Sequence, residues 1–288
     1  MQGNSDIVAR GIVARAVEGV KLEFMAEAYG ILKSAIRISH DEMRTVFAEW
    51  NSGELADPLV AAAADVLGLR DEDGDPLLEK VLDVSRGPEL CRDAVSLALD
   101  LGIPAPILSQ AAFSSYLSLM KDERVDASAV LTGPKSVPTG ERRAMIEELR
   151  KALLAAFILA YAEAYSLLAA AGQDRESAFG LLAQDGSAVA SKAVEARSRC
   201  GPKESILLDA AIKSSLDTTL VSLRRVCSRC VDGGVYVPGL FAALSYYDGY
   251  RSTWLHANMV VALRDSREGS GYERVDRPRG EVFHSEWK

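Results

Sequence analysis

Histidine is scarce in this chain, three residues in 288, and cysteine is nearly as scarce, with four. His40, His256 and His284 lie far apart in sequence, and no serine or cysteine nucleophile signature stands beside any of them, so a catalytic triad cannot be argued. Four cysteines in so long a chain are too few for the disulfide framework of a secreted domain. Cys227 and Cys230, in C-S-R-C, would share one helix face, and Cys200 could be brought near. No second pair at zinc-ligand spacing exists, so these thiols read as buried or idle, not as metal ligands. Positive charge is short as well: 33 Lys and Arg stand against 41 Asp and Glu, for a net charge of −8. Phosphate-backbone binding needs the opposite balance, which argues against a nucleic-acid partner.

Glycine-rich phosphate loops are missing too. No G-x-G-x-x-G follows a strand and no G-x-x-x-x-G-K-[ST] occurs, so a nicotinamide cofactor has no visible seat and no cofactor is expected. The run DEDGD at 71–75 resembles a calcium loop only superficially. Its glycine falls at the fourth position, not the sixth, and Leu82 stands where a bidentate Glu belongs, so it reads as a polar turn. The N-terminus, MQGNSDIVARG, has no basic region followed by an apolar run, and the chain reads as cytoplasmic. Strand-like alternation is rare, no low-complexity linker is visible, and no repeat at a fixed period is found. The loose stretch is the tail from Ser266, with SREGSG and ERVDRPRG, so the expected division is an all-helical domain over 1–265 and a tail over 266–288.

What the chain does have is helical punctuation. Val13, Val17, Val20, Phe24 and Ile31 recur at helical steps over 12–34. Ser39 and Glu42 form a capping box ahead of a helix lined by Met43, Val46, Phe47 and Trp50. Gly68 and Gly102 fall where helices stop, and Pro106 and Pro238 suit first turns. Two long central helices are expected, over 139–171 and 203–231. The first contains ALLAAFILAYAEAYSLLAAA at 152–171, long enough to cross a bilayer. Its alanine content, Glu163 at its middle and the charged GERRAMIEELRK leading into it favour a buried helix of an all-α protein, inside a large bundle or at an oligomer interface. No membrane is expected. Near the C-terminus, SYYDGYRSTWLHAN at 245–258 gathers Tyr246, Tyr247, Tyr250 and Trp254 around Asp248, Arg251 and His256. Periodicity reads it as packed scaffold, with Asp248 and Arg251 as polar partners for the rings.

Eight collinear stretches resemble the C-terminal, all-helical domain of 6-phosphogluconate dehydrogenase: EAYGIL at 27, VFAEWNSGEL at 46, DEDGDPLLEKVLD at 71, LGIPAP at 101, KDERVDASAVLTGP at 121, ALSYYDGYRSTWLHAN at 243, RD at 264 and FHSEW at 283. Together they span almost the whole chain. The resemblance implies an all-α multi-helix bundle, a homodimer whose tail reaches the partner's site, and an NADP-binding Rossmann domain ahead of the matched region that this sequence does not include. It also implies a set of functional positions. Counting back from EAYGIL, the family's Lys base falls on Gly11, its His on Ala14, its Asn on Arg15, its Glu acid on Glu18 and its phosphate-holding Tyr on Gly19. Counting back from LGIP, a Lys and a Thr fall on Arg92 and Ala94. A phosphate-binding Arg falls on Ser115, and in the tail an Arg matches Arg264 while a His falls on Ser270. The family's W-R-G-G-C helix is not recognisable in AQDGSAVASKAV.

Oxidising a substrate hydroxyl needs a base and a held hydride acceptor, and glycine at position 11 supplies no base. A one-residue slip would place Arg10 there, but arginine stays protonated. Several readings follow. In the first, a divergent, homodimeric, redox-inactive member keeps a pocket in which Glu18 is the general acid or base and Arg15, Arg92 and the partner's copy of Arg264 hold an anionic small molecule. This would suit a cofactor-independent lyase or isomerase step. The bland alternative pairs Glu18 with Arg15 or Lys21 along the helix. In the second, the chain is a non-catalytic interaction protein or the helical half of a split dehydrogenase working with a separate Rossmann chain. In the third it is a piece of an ordinary dehydrogenase, against which Gly11, Gly19 and Ala94 speak.

Overall fold

The computed structural model describes the chain except residues 1, 87–88, 135–139, 173–181, 183–185, 202–203 and 288, with the backbone alone for 2–8 and 89. Eleven α-helices appear among the described residues: α1 (Gln2–Ile31), α2 (His40–Asn51), α3 (Pro58–Gly68), α4 (Glu89–Leu101), α5 (Pro106–Leu119), α6 (Lys121–Val130), α7 (Arg142–Ala170), α8 (Ala188–Arg199), α9 (Ala210–Gly233), α10 (Pro238–Tyr250) and α11 (Ala257–Glu268). Two short strands, β1 (Tyr272–Glu273) and β2 (Val282–Phe283), pair antiparallel near the end. The expected all-α class is observed.

The chain divides into two compact units, Met1–Tyr246 and Tyr247–Lys288. This boundary precedes the expected one at 265/266, because the end of α10 and all of α11 group with the tail. In the first unit α1 and α7 pack together, with the rings of Phe24 and Phe157 5.7 Å apart, and α9 lies along α7. The apolar residues expected on α1, Val13, Val17, Val20, Phe24 and Ile31, are all buried, as are Met43, Val46, Phe47 and Trp50 on α2. The capping box at Ser39 and Glu42 is formed, and Pro106 and Pro238 open their helices. The DEDGD run is a turn with Gly74 at φ 87°, and Lys80 pairs with Asp71 and Asp73.

Both long helices start later than expected. Glu141 caps α7, its carboxylate accepting from the backbone N–H groups of Arg143 and Ala144. Asp209 caps α9 by accepting from Ala211 and Ile212, and residues 206–208 ahead of it form a separate short turn. Of the most apolar window of α7, 89% is buried inside this one chain. The helix therefore needs neither a membrane nor a second subunit to cover it, and the oligomer-interface reading of 152–171 is corrected.

A repeat that the sequence reading did not find emerges from the packing. MAEAYGIL at 25–32 on α1 matches YAEAYSLL at 161–168 on α7, and GIPAP at 102–106 matches GVYVP at 234–238. Gly102 and Gly234 sit at φ 66° and 63° and end their helices with the equivalent backbone bond, Ile103 N–H to Ala98 O in one and Val235 N–H to Cys230 O in the other, each 2.9 Å. Glu163 of α7 then accepts from the N–H groups of Ile107 and Leu108 at the start of α5, at 3.1 and 2.8 Å. Glu27 of α1 accepts from those of Gly239 and Leu240 at the start of α10. Each half supplies the carboxylate that caps a helix of the other. The two glutamates and the two prolines are spaced unequally along the chain, so no fixed period marks the repeat.

The second unit is organised by Asp265. Its buried carboxylate accepts from Gly271 N–H at 2.7 Å, Ser285 N–H at 3.3 Å and Trp287 Nε1–H at 2.7 Å, and lies 3.1 Å from His284 Nδ1. The aromatic stretch expected to be packed scaffold is not core within this chain: Tyr250 and Trp254 are 47% and 58% exposed. Arg251 does pair with Asp248, at 3.2 Å, and its guanidinium lies 5.9 Å from the centre of the Tyr247 ring.

Candidate functional site

Four of the positions counted back from EAYGIL, Gly11, Ala14, Arg15 and Glu18, line one cleft of about 560 Å³ between α1 and the start of α3. Their spacing of three and four residues places them on a single helix face. A side chain at Gly11 would meet no atom within 4 Å, so the position opens into free space. Arg15 and Glu18 are exposed at the cleft. Neither forms an ion pair among the described residues, so the pairing of Glu18 with Arg15 or Lys21 along the helix is not what the structure holds.

Lys21 turns inward instead. Its ammonium lies 2.7 Å from Asp57 Oδ2, and the two side chains are 3% and 1% exposed. Asp57 is also the N-cap of α3: its Oδ1 accepts from Leu59 N–H at 2.8 Å, and its own N–H donates to Asn51 Oδ1 at 2.9 Å. Pro58, at the first helical position, needs no such partner. The buried pair joins α1 to α3 and lines the cleft beneath Arg15 and Glu18, with Val17, Pro58, Leu59 and Leu182 as its apolar walls. Chemically, the cleft offers a guanidinium for a carboxylate or phosphate, an ammonium already neutralised by its aspartate, and one carboxylate able to take or give a proton.

The remaining predicted positions lie elsewhere. Gly19 faces α4, where a Cβ would stand 2.7 Å from Cys91 Sγ and 3.2 Å from Leu90 Cβ. A tyrosine there is sterically impossible with α4 so close. Arg92, exposed on α4, pairs with Asp93 at 3.1 Å and does not line the Glu18 cleft. Ala94 is fully buried, and Ser115 lines a different cleft. Arg264 belongs to the second unit, where it lies 3.9 Å from Glu268 one turn on. Of the three arginines expected around Glu18, Arg15 lines the cleft and Arg92 does not, while Arg264 was expected from a partner subunit. Burial lifts the thiols of Cys227 and Cys230 to about 12, and both are inert buried side chains. Among the described residues no group of three or more His, Cys, Asp or Glu is placed to hold a metal ion.

The sequence reading missed Lys21 and Asp57 as a site pair. The available signals were a lysine on an otherwise apolar helix face and the Asp-Pro dipeptide that opens α3.

The fold and cleft define an all-helical, internally duplicated domain with a small-molecule-sized opening beside its first helix. The sequence profile of the 6-phosphogluconate dehydrogenase C-terminal domain matches residues 11–287, and the chain belongs to that family. It is 36% identical over 287 residues to the NADP(+)-dependent, decarboxylating 6-phosphogluconate dehydrogenase of Bacillus subtilis, covering 96% of this chain and 61% of that protein. It is 33% identical over 285 residues to the decarboxylating enzyme of Escherichia coli, covering 96% and 60%. The solved structure of the Plasmodium falciparum 6-phosphogluconate dehydrogenase superposes with a TM-score of 0.89 at 21% identity, over 96% of this chain and 62% of that one, a likeness of fold. The chain thus spans about 60% of the length of these relatives.

Proposed function

We propose that this chain is a divergent, homodimeric member of the family whose Glu18 cleft binds an acidic small molecule and catalyses a cofactor-independent proton transfer of the lyase or isomerase kind. The observation that carries the reading is the convergence of Gly11, Ala14, Arg15 and Glu18 on one cleft above the buried Lys21–Asp57 pair. At the family's base position Gly11 has no side chain, and Arg15 does not deprotonate, so proton exchange in this cleft falls to Glu18. Glu18 retains acid–base chemistry, and Arg15 supplies the cation that would orient an anion beside it. The test is a thermal-shift panel of inorganic phosphate, citrate, gluconate and 6-phosphogluconate. At least one anion should raise Tm by mass action, and Arg15→Ala should remove that rise without lowering the ligand-free Tm. A flat response to the whole panel, or a rise that persists in Arg15→Ala, sinks the proposal.

One observation favours the second reading, an interaction protein or the helical half of a split dehydrogenase. The second unit exposes Trp254, Leu255, Met259, Val260 and Leu263, each more than half exposed, within a segment of ten residues. Apolar groups so concentrated are a partner-binding feature, and a second copy of the chain or a separate Rossmann-domain protein would cover them.

A further inference from the structure

The Glu18 cleft is defined as much by what its walls lack as by Arg15 and Glu18. Among the described residues that line it, none is Ser, Thr, Tyr, Asn, Gln or His. Gly11 and Ala14 place no polar side-chain atom in it, and the side chains of Val17, Pro58, Leu59 and Leu182 are hydrocarbon. The backbone adds little. Pro58 has no N–H, and the N–H of Leu59 already donates to Asp57 Oδ1 at 2.8 Å, so the first turn of α3, an anion seat in other helices, is met by its own cap. The amides of α1 are spent inside that helix.

Charge is equally sparse. Lys21 and Asp57 are buried and cancel each other at 2.7 Å. What remains is the Arg15 guanidinium and, three residues on, the Glu18 carboxylate, both exposed at the cleft. One guanidinium matches one carboxylate bidentately. A second negative group on the same ligand would meet Glu18, while Arg92, the other cation expected from the first unit, lies on α4 outside the cleft. A ligand hydroxyl entering here would give up water and find no side-chain hydroxyl or amide along the walls, a cost that hydrocarbon does not bear. We propose that the ligand of this cleft is a monocarboxylic acid with an apolar body, aliphatic or aromatic, and not a polyhydroxylated or phosphorylated acid. The inference rests on the reading of the Glu18 cleft given above and narrows its substrate class. The carboxylate sits on Arg15, and the body lies along Val17, Pro58, Leu59 and Leu182. A cleft of about 560 Å³ accommodates a body of that kind.

Hexanoate and gluconate are matched probes, with the same carbon chain length and a single carboxylate, and they differ only in the hydroxyls of gluconate. In calorimetric titration of the whole chain, hexanoate should bind roughly tenfold more tightly than gluconate, with a negative heat-capacity change. Shortening it to butanoate should weaken binding by up to about fourfold per methylene lost. Gluconate should still bind weakly through Arg15, and 6-phosphogluconate no more tightly than gluconate. Leu59→Asn, at a half-buried wall position, should weaken hexanoate more than gluconate. The chain-length series needs no variant and decides the point if Leu59→Asn folds poorly. Arg15→Ala should abolish binding of both acids. Equal affinities for hexanoate and gluconate, or tighter binding of gluconate or 6-phosphogluconate, with all of it lost in Arg15→Ala, overturn this inference and leave the anion cleft standing. No binding by any of these acids, or hexanoate binding that survives Arg15→Ala, overturns both.

Discussion

A lysine on the apolar face of a helix must find its counter-charge close by, and on α1 Lys21 finds Asp57 at the start of α3. A buried ion pair of this kind contributes little net stability, but removing one partner strands the other charge in the interior. Lys21→Met should therefore destabilise the protein by roughly 3 kcal/mol in urea unfolding, and Lys21→Met with Asp57→Asn should recover most of that loss. Strictly additive losses would show that the two side chains do not depend on each other. At Gly19 the same scale governs a different outcome. The family's tyrosine position is occupied by the close approach of Cys91, so the substitution that empties one part of the expected pocket also allows α4 to pack against α1. Of the candidate residues, Arg15 and Glu18 were legible in sequence because they share a helix face. Asp57 was not, because its partner lies 36 residues away on another element.

At the scale of elements, the two buried carboxylates replace the short side-chain caps usual at helix N-termini. Burial raises Glu163 to about 8, although the Leu108 and Ile107 N–H groups pull it down, and Glu27 is likewise raised to about 8 by burial and by nearby Glu23. For a carboxyl raised on folding, its favourable share of stability is complete below the ordinary value of 4.5 and is lost as pH climbs through about 8. Urea midpoints should accordingly fall between pH 5 and pH 8, and Glu163→Gln, which cannot ionise, should flatten part of that fall. A midpoint that rises across this range would mean that the helix N-termini hold both groups ionised in the folded state. Glu163→Ala should cost about 3 kcal/mol, since it leaves two buried N–H groups unpaired. The helices themselves were readable from apolar spacing and punctuation. The reciprocal capping was not, because it joins α1 to α10 across 212 residues and α7 to α5 across 56.

For the whole molecule, the central helix gives no reason to dimerise, since its own chain covers it. The proposed homodimer rests instead on the second unit, where apolar side chains from Trp254 to Leu263 are exposed and would be buried by a second copy. Light scattering at micromolar concentration should report twice the 31.0 kDa of one chain, and truncation after Tyr246 should give a monomer. A full-length monomer, or a truncated dimer, would remove the tail from the interface. The fold of that tail depends on Asp265, whose carboxyl Trp287 and the backbone N–H groups hold down at about 2. A carboxyl lowered on folding gives stability that is present above the ordinary value of 3.8 and lost as pH falls through about 2. Trp287 fluorescence should therefore report loosening of the tail at that acidic edge, and Asp265→Ala should show the same change at neutral pH.

Local chemistry is what the sequence by itself determined. The all-α class, the helix starts at Ser39, Pro106 and Pro238, the stop at Gly102 and the shared face of Gly11, Arg15 and Glu18 all follow from residues within a few positions of one another, where spacing along a helix is already spacing in space. The tertiary structure alone decided which distant groups meet: Lys21 with Asp57, Glu163 with the start of α5, Cys91 with Gly19, and the hydroxyls of Ser114 and Tyr236 across a cleft. It also kept Arg92 out of the cleft that the counting had given it. The reason is that side-chain reach is short compared with the separation of these residues along the chain, so their encounter is set by how whole helices pack and not by any pattern written near them.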